Sequence, residues 1–385
     1  MLEKAFLGGR KYWTWMICLL IVMGAGFGAW LFQFRDGLGI TGMSRDISWG
    51  VYIANFTFLV GVAAAAVMVV IPYYIHHYKA FGRITILAEF LGVSAVLMCL
   101  MFIIADLGNP VRALNVLLHP TPNSILFWDM VVLNGYLFLN IFIGWNVLMA
   151  ERKGSAPPGW LKPVIYLSIP WAVSIHTVTA FLYAGLPGRH FWLTAIMAAR
   201  FLASAFAAGP ALLILFCLII RKNTKFDPGE EQIHTLSGIV TYAMILNVFF
   251  FVLECFTAFY SQIPGHMHTI QYLFAGIHGH TGLVPWMWTA VFFWTVSLIL
   301  LIVPAARRAN DVLAVACVTV FIGCWIDKGV GLVIGGFIPN PLEHITEYQA
   351  TLPEVLITLG VWATGFFVLS FLYKIAITVK EELGA

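Results

Sequence analysis

Charged side chains are scarce in this sequence. Asp, Glu, Lys and Arg together make up 10% of its 385 residues, against about 25% in soluble globular chains, and this excludes an ordinary water-soluble enzyme. The net charge of +3 at pH 7 is too small for the field that draws nucleic acid to a protein, so nucleic-acid binding is excluded as well. Cysteine is equally thin. Cys18, Cys99, Cys217, Cys255, Cys317 and Cys324 show no C-x-x-C spacing and no group of four, so no iron–sulfur cluster is expected within this chain. Without C-x-x-C-H there is no covalent haem either. A b-type haem between helices would want two deep histidines, and only His176 lies well inside an apolar run. No low-complexity tract, long linker or soluble appendage is present.

What fills the sequence is apolar length. Hydrophobic residues make up 61% of it, and runs long enough to cross a bilayer, about 20 residues each, lie near 13–34, 51–75, 84–106, 125–150, 163–184, 191–220, 236–260, 284–303, 312–334 and 352–378. They lack the alternation of barrel strands and are far longer than them, so helices must satisfy the backbone in lipid. The expected fold is all-α: one polytopic membrane domain of ten spans. The first run follows basic residues, is long for a signal peptide and lacks a cleavage site, so it reads as a retained signal-anchor helix. The sixth is too long for a straight crossing and contains Gly209-Pro210, where a kink is expected; Pro170 sits in the middle of the fifth. Of the 21 Lys and Arg, fifteen fall in loops on one side and only Arg35, Arg45, Arg112 and Arg189 on the other, with Arg200 and Lys328 inside helices. Lys and Arg favour the cytoplasmic side, which predicts an inner-membrane protein with both termini in the cytoplasm.

Ionisable groups inside a bilayer cost on the order of 2.5–3.5 kcal/mol each, so each one is a functional candidate. They are Glu89, Asp106, Asp129, His176, Arg200, Glu254, Asp327, Lys328 and Glu354. Counted from the helix ends, all but Glu89 fall in the outer half or at the outer rim. The plainer reading is a set of satisfied pairs, such as Arg200 with Glu254 or Asp327, holding helices together. Cohesion alone is achieved more cheaply by small residues and weak hydrogen bonds, so a pocket near the outer face is the sharper reading. Asp327 and Lys328 should point about 100° apart on an α-helix, so their pairing is not to be assumed. A lipid-soluble quinone suits such a pocket, because its two carbonyl oxygens need donors and its reduction consumes two protons. His176 is placed as a donor, with Asp106 or Glu254 exchanging protons. A secondary transporter would also show ten helices and buried charges, but its site is expected at the midplane.

At these residues the chain resembles the NrfD/PsrC family, the quinone-interacting membrane subunits of polysulfide-reductase-like complexes. The resemblance is carried by WGVYIANFTFLVGVAAA at 49–65, ADLGNPVRALNVLLHPTPNSILFW at 105–128 and GRHFWLTAIMAARFLASAFAAG at 188–209. ECFTAFY at 254–260, IGCWIDKG at 322–329 and ATLPEVLITLG at 350–360 are similar to its ten-helix branch, found in alternative complex III and the Hmc, Qrc and Dsr complexes; the overall length and loops look most like the DsrP type, linked to sulfate and sulfur metabolism. The resemblance implies a non-covalently bound menaquinone near the outer face and a periplasmic ferredoxin-like iron–sulfur partner. Multihaem cytochrome c and further membrane subunits accompany it in several such complexes. It also implies two four-helix bundles, helices two to five at 51–184 and six to nine at 191–334, flanked by helices one and ten.

Position by position, Asp106, His176 and Glu254 match family residues, which makes them the expected catalytic set. Tyr52, Asn55, Asp129 and Arg200 are the expected quinone-binding residues, and Glu89, Asp327 and Glu354 the expected proton carriers. Asn109 stands where the family usually has arginine, and Asp327-Lys328 where the branch often has Glu-Arg. Glu89 with Asn134, Asn140, Asn146 and Asn247 suggests a proton half-channel from the cytoplasm, although isolated asparagines in membrane helices usually join helices. A rival reading is therefore a proton-translocating subunit without quinone chemistry of its own. His266, His268, His278 and His280 form two H-x-H pairs that have the makings of a zinc site; the plainer reading is a loop that packs on a partner.

Overall fold

The computed structural model describes residues 2–63 and 65–383. Ala64, inside the second apolar run and the stretch 49–65, lies outside them. Among the described residues ten helices are long and apolar enough to span a membrane: α1 (Arg10–Asp36), α2 (Val51–Ile75), α3 (Thr85–Asp106), α4 (Ile125–Arg152), α5 (Leu161–Ala184), α6 (Met197–Asn223), α7 (Glu230–Tyr260), α8 (Val284–Ile302), α9 (Asn310–Phe337) and α10 (Leu352–Glu382). No strand forms among the described residues beyond one isolated bridge between Ile277 and His280. The chain is a polytopic helical membrane protein. Ile21, Phe27, Phe138, Phe249 and Phe292 are exposed while Glu89, Asp129, His176 and Arg200 are buried. Lipid is as apolar as leucine, so burial is used for polar groups and close-packed small ones.

Helices α2 to α5 are successive neighbours, as are α6 to α9, and the two sets meet where α2 lies against α6 and α9. Outside them α1 packs along α10, and α10 along α3. Two close approaches fix these seams. A methyl group on Gly26 of α1 would fall 2.6 Å from Gly360 Cα of α10, and one on Gly209 of α6 would meet the Val62 carbonyl oxygen of α2 at 3.0 Å.

Helix α6 starts at Met197, six residues later than its apolar run, because residues 190–192 form a 3₁₀ turn and Trp192 turns inward to donate to the Leu332 carbonyl at 2.8 Å. Pro170 and Pro210 both lie inside continuous helices. The latter half of α9, Ile326–Ile334, is a π-helix rather than an α-helix, a local winding that frequently marks functional positions. Helix α10 opens with a capping box, Thr351 and Glu354 each bonding the other's backbone N–H.

Candidate functional site

Near the face opposite the termini, α2 to α5 enclose a polar interior. On α5, His176, Thr179 and Tyr183 stand three and four residues apart, so they share one face, and all three are fully buried. Thr179 donates to Asp129 Oδ1 of α4 at 2.7 Å, and the Tyr183 hydroxyl bonds Thr57 of α2. Tyr183 lies within electrostatic reach of both Asp129 and Asp106, and Asp129 within reach of Cys99. Neither ring nitrogen of His176 has a protein partner, nor does Asp106 Oδ1. A buried unpartnered polar atom costs about 1–3 kcal/mol, which a fold retains where a ligand or reaction uses it. Above Tyr183 lies an aromatic roof. Trp49 and Trp192 stack with centroids 5.7 Å apart, each edge-on to Phe337, and Arg189 covers Phe337 at 4.5 Å.

The second set of helices carries a charge network instead. Arg200 of α6 bonds Glu254 of α7 through Nη1 and sits 3.1 Å from Asp327 Oδ1 of α9 through Nη2. The pairing left open by the sequence is present: Lys328 Nζ is 3.3 Å from Asp327 Oδ2. The wider π-helical turn breaks the 100° spacing of an α-helix, and the lysine stem is long enough to fold back. Glu254 is thus engaged with Arg200, not gathered with His176 and Asp106.

Two expected quinone contacts on α2 face elsewhere. Tyr52 donates to Gln33 Oε1 of α1 at 2.6 Å, and Gln33 in turn donates to the Ala105 carbonyl at 2.7 Å. Asn55 Oδ1 accepts the indoles of Trp325 at 3.1 Å and Trp362 at 2.9 Å. Tyr52 still lies within electrostatic reach of Asp106 and Glu354. Glu354 itself accepts Gly42 N–H at 2.8 Å, the Thr351 N–H at 2.8 Å and Tyr348 Oη–H at 2.7 Å, so its carboxylate is occupied as a helix cap. Burial pushes the Tyr348 hydroxyl above its ordinary range. Beside this corner, α1, α3 and α10 form an apolar groove of about 560 Å³ lined by Met23, Phe27, Trp30, Met101, Ala105 and Ile357. It opens to lipid and ends at Ala105, the neighbour of Asp106.

Toward the terminal face, both carboxylate oxygens of Glu89 are buried without partners, as is the Tyr74 hydroxyl. Glu151 pairs with Lys380 nearby at 3.1 Å. The asparagines do not form a ladder. Asn134, Asn140 and Asn146 each donate to the carbonyl four residues back on α4, at 2.9, 2.8 and 2.7 Å, while both amide atoms of Asn247 are unpartnered.

On the opposite face the histidines separate. His268 Nδ1 lies 2.8 Å from Glu343 and His280 Nδ1 lies 3.7 Å from Glu347, and no group of three or more His, Cys, Asp or Glu suited to a metal occurs among the described residues. Burial, then neighbouring His190, lowers the pKa of His266. Hydrogen bonds from Asn340 and Thr346 hold Asp46 below the usual carboxylate range and pin the loop 338–351. Thr57, Thr179, Tyr183 and Gln33 are site residues that the sequence reading missed.

Residues 39–338 match the family model for polysulphide reductase, NrfD. The chain is 25% identical to a Halobacterium salinarum protein named as a membrane subunit of dimethyl sulfoxide reductase, over 95% of this chain and 86% of that one. It is 22% identical to the integral membrane subunit of menaquinone reductase from Nitratidesulfovibrio vulgaris, over 94% of this chain and 91% of that subunit. It is also 22% identical to the integral membrane subunit of an Hdr-like menaquinol oxidoreductase from Archaeoglobus fulgidus, over 69% and 64% of the two chains.

Proposed function

The chain belongs to the NrfD, polysulphide reductase, family, and from that premise we propose that it is the quinone-reactive membrane subunit of a multisubunit reductase complex. One observation carries the reading: a fully buried imidazole, His176, with both ring nitrogens unpartnered, one turn from the Thr179–Asp129 pair. Two of the similar proteins are named for menaquinol or menaquinone chemistry. A quinone supplies two-electron, two-proton redox chemistry when bound. In this site His176 would hold a quinone carbonyl through one N–H, and the Asp129 carboxyl, bonded by Thr179, would hold or release a proton. Asp106, at the end of the lipid-open groove, is the second proton exchanger, and the aromatic roof excludes water. We take α2 to α5 and α6 to α9 as two four-helix bundles, with the quinone head in the first.

The six cysteines have no spacing suited to an iron–sulfur cluster or covalent haem, and in this reading electrons pass to or from a partner subunit. We place a periplasmic ferredoxin-like iron–sulfur protein over the loops 107–124 and 261–283, with a multihaem cytochrome c further out and, from the DsrP-like stretches, a sulfur-linked respiratory chain. Both termini lie in the cytoplasm of an inner membrane in this reading. His176→Ala in the intact complex is expected to lower quinol turnover by at least ~100-fold while assembly persists, the scale of a lost hydrogen-bond donor to the reacting oxygen. Normal turnover by that variant removes His176 from the site and the reading with it.

A further inference from the structure

Where α2, α6 and α9 meet, a small cavity of about 10 Å³ is lined by Thr57, Gly61, Phe201, Ser204, Cys324 and Lys328. One water needs roughly 10–15 Å³ and two to four polar partners. The wall supplies them: the Lys328 ammonium, the hydroxyls of Thr57 and Ser204, and the Cys324 thiol. Lys328 is buried, and although Nζ lies 3.3 Å from Asp327 Oδ2, neither atom completes a hydrogen bond. An ammonium has three protons to place, and this one is left at the edge of a water-sized space. On the far side Thr57 is bonded to Tyr183, one turn from Thr179. The cavity therefore touches both polar centres of the protein.

We propose that this cavity holds one ordered water that joins the two helix sets in a proton relay, Tyr183–Thr57–water–Lys328–Asp327. The relay deepens the quinone reading and rests on it for its source of protons. A proton released beside Tyr183 passes through the Thr57 hydroxyl to the water. Lys328 hands one of its own protons to Asp327 Oδ2 and takes one from the water, so it stays an ammonium throughout. The first set loses one proton, the carboxylates of the second gain one, and no electron moves. Asp327 Oδ1 is engaged by Arg200 while Oδ2 completes no hydrogen bond, which leaves that oxygen to receive the proton.

Two measurements on the intact complex test this. Thr57→Val keeps shape and removes the hydroxyl; it is expected to lower kcat for quinol by ~100-fold, the low end of what a positioned proton carrier supplies, with KM unchanged and a larger solvent deuterium isotope effect. Thr57→Ser is expected to restore kcat and the isotope effect. Wild-type kcat in Thr57→Val overturns the relay and leaves the quinone reading standing. The second measurement is a density map fine enough to show ordered waters. Density for one water between Lys328 and Thr57 supports the relay. A dry or side-chain-filled cavity overturns it, whatever the kinetics. A map with the water in a protein that fails to react with quinol overturns the quinone reading and keeps the connection.

Discussion

With one guanidinium nitrogen on Glu254 and the other 3.1 Å from Asp327, Arg200 holds two carboxylates that are buried along with it. Breaking a buried ion pair by removing one partner costs about 3–5 kcal/mol, because the remaining charge is stranded. Arg200→Met is therefore expected to lower the thermal midpoint sharply and to cut the amount of complex recovered from membranes. A variant that melts like the wild type would show that the network contributes little to holding α6, α7 and α9. Glu89 presents the opposite situation, a carboxyl with no partner at either oxygen. Since Gln has the same shape, Glu89→Gln should fold and assemble, and it is expected to reduce proton uptake from the terminal face per quinol turned over; unchanged uptake ends its role as a carrier. Charges such as these were readable from the sequence because their cost in lipid makes each one conspicuous. Thr57, Thr179 and Tyr183 were not. Thr57 and Thr179 each bond the carbonyl four residues back, at 2.8 Å, so a hydroxyl in a membrane helix costs little and carries no signal until its neighbour across the seam is known.

At the scale of elements, apolar length was enough to place all ten helices, because in a bilayer the spanning requirement and the hydrogen-bonding requirement select the same segments. Ends were read less well. Helix α7 begins at Glu230, six residues before its apolar run, since Glu230 and Glu231 are favourable at a helix N-terminus and extend it beyond the membrane. The π-helical half of α9 was invisible to hydropathy, which measures composition and not winding. Its sequence, IDKGVGLVIGG, does carry a trace in its glycines: a methyl on Gly329 would meet the Ala54 carbonyl oxygen of α2 at 3.1 Å. That contact brings α9 close enough to α2 for Lys328 to reach the cavity beside Thr57. The turn geometry and the relay are therefore linked through one close approach. Tyr52 and Asn55 show the same limit from the other side. Their positions on α2 were clear, but which neighbour each faces depends on α1, α9 and α10, whose packing no single-helix pattern reports.

For the whole molecule the decisive question is which face meets which compartment, since the polar centres of the two helix sets lie toward the face opposite the termini. If the quinone head sits at His176 and Asp129, as proposed, the shorter path for electrons leads out through the face near which these residues lie. Fifteen basic loop residues on the terminal side against four on the other predict the cytoplasm for the termini. On the opposite face the loop helix Asn115–Leu118 and its approach leave Val111, Leu114 and Leu118 exposed, an apolar edge available to a subunit docked there. Orientation is testable without the partner. All six native cysteines lie within spans, whereas Thr121 and Ser155 are exposed in loops on opposite faces. With a membrane-impermeant maleimide applied to intact spheroplasts, Thr121→Cys is expected to react and Ser155→Cys to react only after lysis. The reverse pattern would place the His176 centre against the cytoplasm, and an iron–sulfur partner in the periplasm would then have no electrons to exchange with it.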